Sequence, residues 1–139
     1  MVKKLGMNYN KFCEEIVKVN PKVRYAGVYN TVSGDVYEKA AKEIERLFTK
    51  EQTKKSLTQA YMRWKTRESF SNIAGKPIFT MTKYEKINRM TMPCGKNTIL
   101  MVSMQSDLEP QTILNNVLEL IEKYGDKEYA QNLNYQLNF

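Results

Sequence analysis

The sequence predicts an α/β domain of the α+β kind: a single antiparallel five-stranded sheet flanked by helices, in the order α-β-β-α-β-β-β-α. Three observations carry that expectation. Apolar residues recur at helical spacing before Pro21, across 50–74 and after Pro110. A run of β-formers at 23–29 leads through turn-forming residues into a second such run. Three short β-rich segments then follow the long helix in succession, close enough together for an antiparallel meander.

The first helix is expected from Asn8 to Val19, with Phe12, Ile16 and Val19 on one stripe and Tyr9, Cys13 and Val17 on the next. Asn20-Pro21 ends it, because the residue before proline is pushed out of the helical region. Val23–Tyr29 and Val36–Glu38 form a hairpin around Asn30–Asp35, where Gly34 can take positive φ. Gly27, within the first of these strands, leaves one face without a side chain, which permits close packing of a helix or a bulge there. Ala40–Phe48 reads as a short helix with Ile44, Leu47 and Phe48 on its apolar side. Thr49 then opens a fresh helix with Gln52 at the capping-box position; it runs to about Ala74 and stops at Gly75.

Ile78–Tyr84, Ile87–Met92 and Thr98–Met104 are the meander strands, with Met92–Asn97 the clearest turn between them. Ile99–Val102 is apolar on both faces, as in an inner strand covered from both sides. Asp107 reads as the cap of the last helix, Pro110 as part of its first turn, and Gly125 as its stop. Its buried stripe is Ile113, Val117, Leu120, Ile121 and Tyr124. Residues 132–139 alternate polar and apolar, which favours a strand with Leu133, Tyr135, Leu137 and Phe139 on one side. A continued helix and a frayed end are the alternatives. The whole is expected to be one domain over 1–139, with its core in 8–124 and a tail from 125.

With 139 residues, 42% of them hydrophobic, the chain can bury a core without disulfides or metals. Its two cysteines are unpaired by spacing, and without histidine they cannot build the usual zinc sets. No cofactor motif is present. The basic start, Met1 to Gly6, lacks the apolar stretch of a secretory leader, so a cytoplasmic protein with no membrane partner is expected. The net charge of +7 is uneven: residues 1–100 carry 20 Lys/Arg against 9 Asp/Glu, and 101–139 carry 2 against 6. The lysines are scattered and form no arginine-rich block, so a solvated surface is favoured over a nucleic-acid interface.

The central helix has two apolar stripes. At 100° per residue, Leu57, Ala60, Tyr61 and Trp64 fall on one side, suited to the sheet, while Met62, Thr66, Phe70 and Ile73 gather opposite. The second stripe must be covered by another part of the chain or by a second copy. The second copy is favoured, which makes Met62, Thr66, Phe70 and Ile73 a candidate dimer interface. A meander also leaves an edge strand that pairing across a two-fold would cap.

Candidate chemistry is sparse. Without histidine the commonest general base is missing. Cys94 beside Lys96 has the makings of an activated thiol, but a small turn residue, dispensable to the protein, is the better reading. Gly95-Lys96 matches the end of a phosphate-binding loop, yet Met90 stands where its first glycine belongs. Met81, Met90, Met92, Met101 and Met104 suit core filling better than a ligand pocket. Tyr25, Tyr29, Tyr37 and Tyr84 with Arg24 and Arg89 could make a stacking platform, although strand aromatics more often pack under helices.

The element order, with Val23-Arg24-Tyr25-Ala26-Gly27-Val28-Tyr29-Asn30 followed by Gly34-Asp35-Val36, resembles the roadblock/dynein-light-chain group of profilin-like domains. The chain is also similar to small archaeal proteins carrying Arg-Tyr-Ala-Gly-Val-Tyr-Asn, a helix segment like Arg63-Trp64-Lys65-Thr66-Arg67, and Tyr84-Glu85-Lys86. The resemblance spans roughly 8–124, by layout more than by identity; the split helical region 40–74 and the tail depart from it. It implies homodimers with the long helices packed together and the sheets joined edge to edge. It implies a regulatory or scaffold role, in several relatives toward small GTPases, and no enzymatic activity. The alternative reading is a PAS/GAF-like small-molecule sensor, which would enclose a cavity between sheet and helices.

Overall fold

Successive residues of strand β5 (Thr98–Gln105) point to opposite faces of the sheet, and both sets are buried. That double burial sets the architecture, because each face must be covered by helices. The computed structural model describes residues 8–41 and 47–124. It contains α1 (Tyr9–Val17), β1 (Val23–Asn30), β2 (Val36–Ala40), α2 (Lys50–Glu68), α3 (Ser71–Ala74), β3 (Thr80–Lys83), β4 (Ile87–Gly95), β5 and α4 (Gln111–Tyr124). The strands form one antiparallel sheet in the order β2-β1-β5-β4-β3.

One face carries α1 and α4. Phe12 and Ile16 from α1, and Ile113, Val117 and Ile121 from α4, pack on Ala26, Val28, Met90, Met92, Leu100 and Val102. The other face carries α2, whose Leu57, Ala60 and Trp64 close over Ile99 and Met101. Burying side chains of this size stabilises by about 1.5–3 kcal/mol each. The α2 start is as expected: Thr49 Oγ1 accepts from the Gln52 amide, and Gln52 Oε1 accepts in turn from the Thr49 amide.

Several boundaries differ from expectation, each for a visible reason. Strand β2 continues through Ala40, so no helix begins there; residues 42–46, including Ile44, lie outside the described residues. The long helix ends at Glu68. Ser69 Oγ donates to the Thr66 carbonyl at 2.5 Å, and Phe70 leaves the helical region before the one-turn α3 resumes. The Gly75 stop holds, with φ of 86°. β3 begins at Thr80, because continuing its register would set Ile78 opposite Pro93, which has no N–H.

The turn between β4 and β5 is only Lys96-Asn97, since β4 extends through a bulge to Gly95. Cys94 is therefore a strand residue and not a turn residue. Asp107 does not cap α4, which starts four residues later; its carboxylate accepts from Lys22 Nζ at 2.7 Å, tying the segment after β5 to the one before β1. At Gly27 a β-carbon would lie 2.8 Å from Tyr25 Cζ, so the glycine makes room for a neighbouring ring instead of a helix. Gly125 and the alternating tail lie outside the described residues.

Candidate interaction surface

Helix α2 is sealed on one side and bare on the other. Leu57 and Trp64 are buried against the sheet, while Met62 is 62% exposed. Phe70 is 56% and Ile73 87% exposed, and Thr66 is exposed between them. The structure thus places all four candidate interface residues at the surface. Met62 and Thr66 lie on α2; Phe70 and Ile73 reach the surface from the turn and α3, a break the helical wheel did not reveal. Thr66 Oγ1 donates to the Met62 carbonyl at 3.2 Å, so its hydroxyl is used locally and its methyl adds to the apolar strip.

The border of this strip is basic. Helix α2 holds six Lys/Arg against Glu51 and Glu68. Lys65 pairs with Glu68 at 3.0 Å, and that hydrogen bond holds its ammonium above the ordinary lysine range. On the same face, two strands out from β5, lies β3, an edge strand whose outer side has no strand partner among the described residues. Met81 on this strand is exposed, whereas Met90, Met92, Met101 and Met104 fill the core.

Of the other sequence candidates, Arg89 and Tyr84 come together, with Tyr25 near enough to act on the arginine, and the rest do not. Tyr37 stacks on Tyr9 on the α1 side, Tyr29 packs with the α2 cluster, and the Tyr25 hydroxyl donates to Glu38 at 2.7 Å. These aromatics divide between two faces and make no common platform. Cys94 is fully buried and its thiol donates to Thr98 Oγ1 at 3.3 Å. Burial pushes it up to about 12, so Lys96 does not activate it. Cys13 is also raised to about 12, first by burial and then by the proximity of Cys94 and Glu38. Among the described residues no group of three or more His, Cys, Asp or Glu is arranged to hold a metal ion. No helix among them is long and apolar enough to cross a membrane.

Arg89, which the sequence grouped with stacking aromatics, meets one of them, Tyr84, but in a buried setting. Arg89 on β4 is buried beneath the α2 flank, donates from Nη1 to Ser56 Oγ at 2.8 Å, and lies against the Phe48 and Tyr84 rings. The sequence signal for this was a charged residue within a run of strand residues that also holds Ile87, Met90 and Met92.

A sheet with two helices on one face and one long helix on the other, its edge strand open, defines a roadblock-like fold. Among solved structures it is similar to a roadblock/LC7 domain from Streptomyces avermitilis: 11% identity, 82% of this chain and 92% of that chain, TM-score 0.65. It is similar to MglB in a tetrameric arrangement, at 12% identity over 90% of this chain and 89% of that one, TM-score 0.69. It is also similar to the gliding protein MglB from Thermus thermophilus, at 12% identity over 82% and 83%, TM-score 0.66. At such identities the likeness establishes the fold. No protein-family model matches the sequence, and no curated protein matches it.

Proposed function

We propose that this chain is a cytoplasmic, non-enzymatic regulatory or scaffold protein. It acts as a homodimer that binds another protein, with a small GTPase as the partner class suggested by the resemblance. The observation that carries the reading is the bare strip Met62, Thr66, Phe70 and Ile73, which runs from the outer side of α2, whose opposite side is sealed, onto the turn and α3. An apolar strip of this kind is costly to leave in water and suits a subunit contact. The open β3 edge supports the same reading, because an edge strand invites pairing. The tetrameric arrangement of an MglB of the same fold is consistent with self-association.

Light scattering on the wild-type chain and on Phe70→Glu tests the proposal. The wild type should be a dimer at micromolar concentration. The variant should be a monomer with unchanged circular dichroism, because it sets a carboxylate into an apolar contact while leaving the fold's own core untouched. A monomeric wild type, or a dimer indifferent to the substitution, would overturn it.

A further inference from the structure

Arg89 is a buried cation to which the described residues offer no anion. It projects from β4 onto the α2 side of the sheet, opposite Thr82 of β3 and Ser103 of β5, and is 7% exposed. Among the described residues its guanidinium makes one hydrogen bond, from Nη1 to Ser56 Oγ at 2.8 Å. The Phe48 and Tyr84 ring centroids lie 5.0 and 5.4 Å from Cζ. Nε is buried and has no hydrogen-bond partner among the described residues. Burial is the largest influence disfavouring its charge; the Arg63 guanidinium adds to it, while Tyr84 and Tyr25 oppose it.

An arginine remains charged in such a setting, and a buried charge left without an anion is destabilising. Aromatic faces and one hydroxyl return only part of the lost hydration. The bonding pattern also has a direction. With Nη1 committed to Ser56, the side of the fork left uncommitted among the described residues is the edge shared by Nε and Nη2. That edge presents two parallel N–H groups and matches the two oxygens of a carboxylate.

We propose that the Nε–Nη2 edge of Arg89 is a carboxylate-binding site, walled by Phe48 and Tyr84, with Arg63 on α2 as a second cation. Nε is closed to solvent, so a carboxylate reaches this edge only when the Tyr84 ring, itself nearly half exposed, turns aside. The ligand is a carboxylate, carried either by a small organic acid or by an Asp or Glu side chain of a partner protein. The site does not depend on the chain being a dimer.

The test is an NMR titration of the full chain, labelled with nitrogen-15, following the arginine Nε–Hε signals. Arg89 is assigned by triple resonance and confirmed by Arg89→Lys if that variant folds. The probes are sodium benzoate for a free acid, the capped peptide N-acetyl-Leu-Glu-Leu-amide for a side-chain carboxylate, and sodium phosphate. Sodium chloride at matched ionic strength is the control. A saturable downfield shift of the Arg89 signal with benzoate or peptide, absent with chloride, is the expected result. The stronger of the two identifies the source. The surface variant Arg63→Gln should weaken half-saturation about fivefold, the effect of removing one nearby charge across partly hydrated protein. Movement of all arginine signals together, a response no larger than chloride's, or tighter binding of phosphate than of either carboxylate would overturn the assignment.

Discussion

Cys94 offers the sharpest check on the absence of thiol chemistry. Its sulfur is fully buried and, like that of Cys13, is pushed from 9.0 up to about 12. At pH 8 a thiol of pKa 9 is about one-tenth thiolate, whereas one at 12 is about one ten-thousandth. Since the thiolate is the nucleophile, alkylation of the native protein by iodoacetamide should be at least about 1,000-fold slower than alkylation in guanidinium. Restricted access can only slow it further. The same shift has a stability consequence. A thiol whose native pKa lies above its unfolded value stabilises the fold fully below pH 9 and loses that contribution as pH rises from 9 toward 12. By pH 10 each cysteine should have lost on the order of 1 kcal/mol, and replacing both with alanine should flatten this part of the curve. Intact-mass measurement of alkylation at both sites checks the rate directly. Rapid, stoichiometric labelling of Cys94 in the folded protein would refute the reasoning and revive a nucleophilic role.

Two further substitutions probe the helix that carries the proposed surface. Trp64→Ala removes a buried ring and its Nε1 hydrogen bond to Glu68, and should cost about 3–5 kcal/mol in urea unfolding, while Thr66→Ala on the bare side should stay within about 0.5 kcal/mol of wild type as a monomer. Equal losses at both positions would mean that α2 is not seated as described. Gly75→Ala forces a β-carbon into φ of 86° and should destabilise by about 1 kcal/mol, read as a lowered thermal midpoint; a raised midpoint would show that the α3 stop relaxes freely.

Periodicity made the sheet and its helices legible. Ile99 and Met101 against Leu100 and Val102 announced a strand covered on both faces, and the Leu57–Trp64 stripe pointed to the sheet. What the sequence hid was local hydrogen-bond competition. The Ser69 hydroxyl capturing the Thr66 carbonyl ends α2 early, and nothing in the apolar pattern through Phe70 and Ile73 signals that break. Cys94-Gly95-Lys96 looked like turn chemistry because Pro93 and Gly95 are turn formers, yet both pair with β5, and a bulge between them takes up Cys94 within β4. Asp107 had the right residue type for a cap, but Lys22, 85 positions away, competes for its carboxylate. Arg89 was beyond reach for a similar reason: its meaning depends on Ser56 and Phe48, which the chain order separates from it.

The unequal cover of the two faces explains why both proposals fall on one side of the sheet. Five strands at about 4.8 Å spacing make a surface roughly 20 Å wide, and a helix with its side chains spans about 10 Å. Helices α1 and α4 together close one face, and the strands beneath them answer with methionine and aliphatic side chains. Helix α2 alone lies on the other, over β1 and β5, so β4 and β3 on that side extend beyond its width. There the inward residues turn polar: Arg89 and Thr91 on β4, Thr80 and Thr82 opposite them on β3. A face meant only to be sealed would be expected to carry the same apolar side chains as its reverse. Polar residues at the margin of a single helix, next to an open edge strand and a bare apolar strip, are what the proposed partner surface would draw on.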